Sequence, residues 1–326
     1  MRGSAAAAHF LWRREIRRLL RYPNGEEKPM TGMRHYPYVL LDVFTHKELE
    51  GNQLAVFTDA RDLSDAEMQN LARETSLSET TFIVPREAAM EREQGVRVRI
   101  FTVQEELPFA GHPTLGTAWH LRQQRGGDTV ELALNVGKIP VSFGADALGR
   151  LVGEMRQRDP EFGDIHRAED VARATGVPLE WMDTTLPIQT VSTGIPFTIV
   201  ALKSLAAMRE LQIDQRGASA YSREHGGHFF YFVSRQTETP GATLHARMQF
   251  YNGEDPATGS AAGCCAAWAV RHGVLASQSQ GLIEQGLEIG RPSFILIRGR
   301  KSGSDVIDIR VGGGVVETAR GEFALK

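Results

Sequence analysis

Cysteine is almost missing from this chain. Of 326 residues only Cys264 and Cys265 are cysteine, and they are adjacent. Neighbouring cysteines rarely bridge each other, and no third thiol exists, so no disulfide framework is expected and the setting is read as reducing and cytoplasmic. Long hydrophobic runs are also lacking: none approaches the roughly 20 residues of a spanning helix, so no membrane partner is expected. Neither charge sign dominates, with 37 Lys and Arg against 40 Asp and Glu and a net charge of −3. That balance gives no footing for a nucleic-acid partner. His225 and His228, in REHGGHFF, have loose metal-ligand spacing, but no cluster of acids or cysteines accompanies them, so no metal is expected. No βαβ alternation with a Gly-rich phosphate loop is read in the chain. A doubly wound nucleotide fold is therefore not expected, nor is an organic cofactor.

What is present is an ordinary globular composition, 41% hydrophobic and 24% charged, at a length that suits two domains. Residues 1–34 stand apart. They carry eight Arg or Lys against three acids, about +5, which leaves the rest at about −8. The stretch HFLWRREIRRLL could form a short basic amphipathic helix for a membrane or targeting role. MRGSAAAA also resembles an expression leader or a start assigned too far upstream, with Met30 and Met33 as alternative starts. We read 1–34 as a leader, disordered or artefactual, and begin the patterned chain near Tyr38.

From there the first half alternates strands with two helices. YVLLDVF, EGNQLAVF, SETTFIVP and VRVRIFTV predict strands, as do TVELALNVG and KIPVSFGA, joined at Gly137. LSDAEMQNLARETS predicts a helix opened by a Ser64–Glu67 capping box. GHPTLGTAWHLRQQRG predicts another, with proline in its first turn and glycine at its end. The second half repeats this grammar. LPIQTVSTG, PFTIVAL, HFFYFVS, LHARMQFY, LIEQGLEIG, SFILIRGR and VIDIRVGG predict strands, and SLAAMRELQID and DPATGSAAGCCAAWAVRHG predict helices. The fold class is α+β: two similar domains, each a curled sheet around a small-residue helix. Their expected bounds are 35–147 and 148–312, and a C-terminal strand near 313–326 is a candidate to complete the first.

The two small-residue helices begin alike. With His112 set on Asp255, H-P-T-L-G-T-A aligns with D-P-A-T-G-S-A, 143 residues apart. A helix N-terminus has unpaired amides and partial positive charge, and so suits an anion. If the two domains face each other, two such helix mouths converge on one cleft. A small carboxylate could sit there between His112 and Asp255. The structural alternative is that Asp255, before a proline, is simply an N-cap. Glu79, at a helix-to-strand junction in LSETTF, is by itself a solvated turn residue. Cys264 and Cys265 lie in mid-helix among alanines and read as packing residues, not nucleophiles.

EGNQLAVF, LSETTF, RIFTVQEELPFAGHPTLGTA, EDPATGSAAG and GLEIGRPS, taken in order from about Tyr38 to the C-terminus, resemble the PhzF-like phenazine-biosynthesis family. The resemblance implies two diaminopimelate epimerase-like domains, each a sheet barrel around a central helix, with the active site in the cleft between them. It implies a cofactor-independent isomerase of the trans-2,3-dihydro-3-hydroxyanthranilate isomerase type, moving a proton between carbons of a small cyclic carboxylic acid. By the same resemblance Glu79 is the general acid/base and His112 and Asp255 are its catalytic companions. Gly111, Gly259 and Ser260 contact the substrate, and Asn52 and Ser78 map near the pocket. A homodimer is implied as well. The alternatives are a racemase or epimerase on another small acid, and a non-catalytic binding or regulatory member. Two-thiol epimerisation is disfavoured, because neither helix mouth carries a cysteine. One departure is visible: Gln53 stands where the family usually has proline.

Overall fold

A computed structural model describes residues 32–250 and 253–326. The leader expected over 1–34 therefore falls almost wholly outside the described residues. The chain forms two units. One holds, among the described residues, 32–36 and Glu322–Lys326, and in it His35 Nδ1 lies 2.7 Å from Glu322 Oε1. The other, Pro37–Gly321, holds every residue of interest below.

The strands of the first half are β1 (Arg34–Val43), β2 (Asn52–Phe57), β3 (Thr80–Ile83), β4 (Val96–Phe101), β5 (Glu106–Leu107), β6 (Thr129–Leu134), β7 (Gly137–Ala145), β8 (Leu151–Arg156) and β9 (Glu161–His166). Those of the second are β10 (Ile188–Ser192), β11 (Pro196–Leu202), β12 (Phe229–Ser234), β13 (Leu244–Arg247), β14 (Gln249–Phe250), β15 (Gly253–Glu254), β16 (Gly281–Gln285), β17 (Ser293–Ser302), β18 (Asp305–Gly313) and β19 (Val315–Leu325). The α-helices among the described residues are α1 (Asp65–Thr75), α2 (Ala88–Gln94), α3 (Gly111–Arg125), α4 (Ala168–Thr175), α5 (Leu205–Arg209), α6 (Gln215–Glu224) and α7 (Gly259–Arg271). None of the described helices is long and apolar enough to cross a membrane.

Strand pairing repeats. Through β1, β2, β3, β4, β6, β7 and β8 the successive pairs are antiparallel, parallel, antiparallel, parallel, antiparallel and antiparallel. Through β10, β11, β12, β13, β16, β17 and β18 the same six relations recur in the same order. In each repeat the second parallel pair encloses a small-residue helix, α3 in the first and α7 in the second. The repeats are also stitched together. β8 pairs with β18, β9 adds to β10, and β19 adds to β1. Parallel neighbours need a crossover, so each repeat contains βαβ steps. Antiparallel pairs interrupt them, and no doubly wound sheet results.

α3 packs against β2, β3, β6, β7 and β8, and α7 against β10, β11, β17 and β18. α7 is buried on every side from Ala261 to Val270. A helix surrounded by strands has no solvent face to make polar, which accounts for its run of Ala, Gly and Cys. Cys264 and Cys265 are fully buried, and burial holds both thiols above their usual range, Cys264 at about 11. At the closest approaches a larger residue would displace neighbouring side chains. A Cβ on Gly263 would lie 1.8 Å from Gln157 Oε1, and one on Gly116 would lie 2.6 Å from Leu54 Cδ2.

The capping box of α1 forms as read, with Ser64 Oγ accepting from Glu67 and Glu67 accepting at Ser64 N–H. Elsewhere the elements differ. The helix expected over 204–214 is only the short α5, with α6 following it, and LIEQGLEIG leaves the sheet after Gln285. Gly286 turns there with φ +78 and leads into a 3-10 turn, Leu287–Ile289. α4, α5 and α6 cover a separate apolar cluster around Met208, Phe230 and Phe232.

Candidate active site

The N-termini of α3 and α7 meet backbone to backbone. A Cβ on Gly111 would stand 3.4 Å from Gly259 Cα, so the two first helical positions are direct neighbours. Neither N-cap residue, Ala110 or Thr258, caps its helix with a side chain. Gly259 and Ser260 line the cavity described below, and no N-cap side chain takes the first amides of α7. This corrects the sequence register. Gly111-His112 corresponds to Gly259-Ser260, five residues from the alignment that set His112 on Asp255. His112 lies inside the first turn of α3, whereas Asp255 precedes α7 and is not its N-cap.

Asp255 is instead held by side chains and its own loop. Asn52 Nδ2 donates to Oδ1 at 2.8 Å, and Thr258 Oγ1 donates to Oδ2 at 2.8 Å. The Ala257 N–H adds a third donor. Buried Gln285 donates from Nε2 to the Asp255 carbonyl at 2.8 Å and to Thr258 Oγ1 at 3.0 Å. Burial pushes the Asp255 carboxyl up to about 6 despite these donors, and nearby Glu254 adds to the rise.

Glu79 sits where the chain leaves α1, after Ser76 turns in the left-handed region with φ 54, and just before β3. Its carboxyl is pushed up to about 8, first by burial and then by the Asp255 charge, while the Ser78 hydroxyl pulls it down. His112 Nε2 lies 3.6 Å from Glu79 Oε2 and has no hydrogen-bond partner. The ring bonds the Gln53 backbone, and that bond favours the protonated ring, so the ring donates to the carbonyl. With Nε2 unpartnered, the donor is Nδ1. Burial drives His112 down to about 3, so it is a neutral imidazole with a bare Nε2. It does not form an ion pair with Glu79. At pH 7 the centre thus holds a protonated Glu79, an ionised Asp255 and a neutral His112. Because Glu79 and Asp255 interact, these values belong to the pair.

Glu79, Ser78, His112, Asp255, Gly111, Gly259 and Ser260 all line one cavity of about 620 Å³. Phe109, Phe197, Met248 and Phe250 give it apolar walls. Asn52 does not line it. It is 1% exposed and lies behind Asp255, also donating to the Ala257 carbonyl at 2.9 Å. Gln53 is exposed and pairs with Asp42 across the β1–β2 ladder. Sequence reasoning missed Thr258 and Gln285. Thr258 was visible only as a spacer between Asp255 and Gly259, and Gln285 carried no signal in its strand. His228 lines the same cavity, but His225 does not, stacking instead on Tyr221 at 4.2 Å. Among the described residues no group of three or more His, Cys, Asp or Glu could hold a metal ion.

Comparison with known proteins gives the family. Residues 41–321 match the phenazine biosynthesis-like protein family, PhzC-PhzF. The chain is 35% identical over 299 residues to trans-2,3-dihydro-3-hydroxyanthranilate isomerase of Pseudomonas chlororaphis, covering 90% of this chain and 100% of the relative. It is 34% identical over 294 residues to the protein of that name in Pseudomonas aeruginosa, covering 88% and 99%. A PhzF-family crystal structure from Bacillus anthracis superposes with a TM-score of 0.81 at 25% identity, covering 89% and 99%. A hydroxyproline epimerase from Agrobacterium vitis shares the fold alone, with a TM-score of 0.61 at 11% identity over 90% and 92%. The family match and the relatives' names define the class, which is an isomerase on a mixed α/β fold. Within that class the chain belongs to the PhzF family of phenazine biosynthesis-like proteins.

Proposed function

We propose that this protein is a cofactor-independent isomerase that moves a proton between carbons of a small cyclic carboxylic acid, trans-2,3-dihydro-3-hydroxyanthranilate or a close analogue. The observation that carries this reading is the Glu79 carboxyl. It is poised near neutral pH beside an unpartnered imidazole nitrogen, in a cavity with apolar walls and open helix amides. The substrate carboxylate binds the amides of Gly259 and Ser260, and its ring lies against the phenylalanines. Ionised Glu79 takes a proton from one ring carbon. The electron pair of that C–H bond shifts through the conjugated system, and the Glu79 acid returns the proton to the carbon at its far end. One C–H bond breaks, one forms, and Glu79 is regenerated, so no oxidant or reductant enters. Neutral His112 accepts a hydrogen bond at Nε2 from the protonated acid or a substrate hydroxyl. Asp255, fixed by Asn52 and Thr258, keeps the Glu79 value high enough for both halves of the transfer. No thiol lines the cavity, which weighs against two-thiol epimerisation.

In this reading the two strand repeats are the two epimerase-like domains, 35–147 and 148–312, with the site in the cleft between them. A crystal structure with bound 3-hydroxyanthranilate checks that division and the carboxylate's place together. A homodimer follows from the family resemblance, and light scattering that finds a monomer at micromolar concentration would count against it.

The pH profile is the direct test. Abstraction begins from the carboxylate, so kcat/KM for trans-2,3-dihydro-3-hydroxyanthranilate should rise with pH and level off above about 8. Below that it should fall about tenfold per pH unit. A flat profile between about pH 6 and 9 would remove Glu79 as the initiating base.

A further inference from the structure

One residue of GLEIGRPS takes no part in the chemistry above, yet it lies behind the centre. Arg291 follows the 3-10 turn and precedes β17. Its Nη2 donates to Asp42 Oδ1 and to the Glu50 carbonyl, each at 2.6 Å, and its Nε donates to the Gly51 carbonyl at 2.9 Å. Asp42 is 2% exposed, and its second oxygen accepts the Leu49 N–H at 2.7 Å. The neighbouring Pro292 carbonyl accepts the Gly51 N–H at 2.9 Å. Gly51 has φ +71, and a Cβ there would lie 2.4 Å from the Val43 carbonyl oxygen. One guanidinium and one carboxylate thus hold the 49–51 backbone from both sides. The next two residues carry the hold into the site. Asn52 donates to Asp255, and the Gln53 carbonyl takes the Nδ1–H of His112.

We propose that Arg291 is a positioning residue for the reaction centre, fixing the 49–51 turn and, through Asn52 and Gln53, setting both Asp255 and the tautomer of His112. The inference rests on the proton-transfer reading above. Its rival is a purely structural role, since a buried ion pair that loses one partner costs stability whatever it supports. A planar guanidinium reaches three acceptors at once, and an ammonium cannot reproduce that fork. Geometry and stability can therefore be separated.

The test compares full-length wild type with Arg291→Met and Arg291→Lys by thermal midpoint, by the ¹⁵N shifts of the His112 ring, and by kcat and KM for trans-2,3-dihydro-3-hydroxyanthranilate. Arg291→Lys is expected to retain most of the midpoint but to show mixed His112 tautomers. Its kcat should fall about ten- to a hundredfold while KM stays within about threefold, as expected for misplaced groups. Arg291→Met should lose midpoint as well. If Met does not fold, the Lys variant carries the same readings. A lowered midpoint with the wild-type His112 spectrum and wild-type kcat overturns the proposal. Should wild type fail to convert this acid, the isomerase reading fails by itself. The His112 spectrum of Arg291→Lys then decides alone: mixed tautomers support positioning, and a single one overturns it.

Discussion

Glu79→Gln is expected to lower turnover of trans-2,3-dihydro-3-hydroxyanthranilate by about two to four powers of ten, the usual worth of a positioned acid/base. The substitution changes little else. At pH 7 the wild-type carboxyl carries its proton, so the amide replaces a neutral group of nearly the same shape. The cavity walls, the Gly259 and Ser260 amides and the Asn52–Asp255 bond are untouched. Affinity for 3-hydroxyanthranilate, whose aromatic ring cannot undergo the transfer, should stay within a few-fold of wild type, as binding that does not change along the reaction predicts. Loss must therefore appear in kcat. Wild type in heavy water should place deuterium at the reprotonated carbon to the extent that Glu79 exchanges with solvent between the two steps. A Gln variant that turns over at a near wild-type rate would return Glu79 to the solvated turn residue that its local sequence suggests.

Much of this architecture is legible in sequence because it rests on local signals. The Ser64–Glu67 box, Pro113 in the first turn of α3 and alternation in β4 each act within a few residues. The duplication is legible too, through the two small-residue helices. Its register is not. Aligning prolines sets His112 on Asp255, but the structure aligns the glycines at which the helix backbones touch, Gly111 and Gly259. Contact across 148 residues of chain leaves no mark in either local pattern. α4 and α6 escaped for a related reason. Each is short and half-exposed, and each is held by packing, α4 on α6 and α6 on β12, rather than by propensity. His112 and Asp255 were reachable through the repeated helix start, whereas Glu79 was reachable only through resemblance. Their chemistry is set by burial and by one another's charge, and neither can be read from neighbours in the chain. Asn52 was reachable through resemblance as well, but its place behind Asp255 depends on a turn clamped from residue 291.

Glu79→Gln should also stabilise the protein, and only on the alkaline side. The folded carboxyl keeps its proton to about pH 8, and the unfolded one releases it near the ordinary value of 4.5. Between those limits the folded state binds more protons than the unfolded state, so wild-type stability falls as pH rises and the loss is complete above about 8. Gln has no proton to lose and escapes this penalty. At about 1.4 kcal/mol per unit the full difference approaches 5 kcal/mol. Glu79 is 19% exposed, and part of its rise comes from Asp255, which can take up a proton in its place. Solvent and that sharing reduce the expected gain to about 2–3 kcal/mol above pH 8.5. Denaturant melts at about pH 4.5 should show the two proteins equal, and melts at about pH 9 should show the variant more stable. The same burial that brings the carboxyl to a working value strains the fold wherever the carboxyl ionises, so activity and stability should move in opposite directions through one group. Equal stability of the two proteins at both pH values would mean that Glu79 ionises freely. It would then lack the raised value on which its role as a proton shuttle depends.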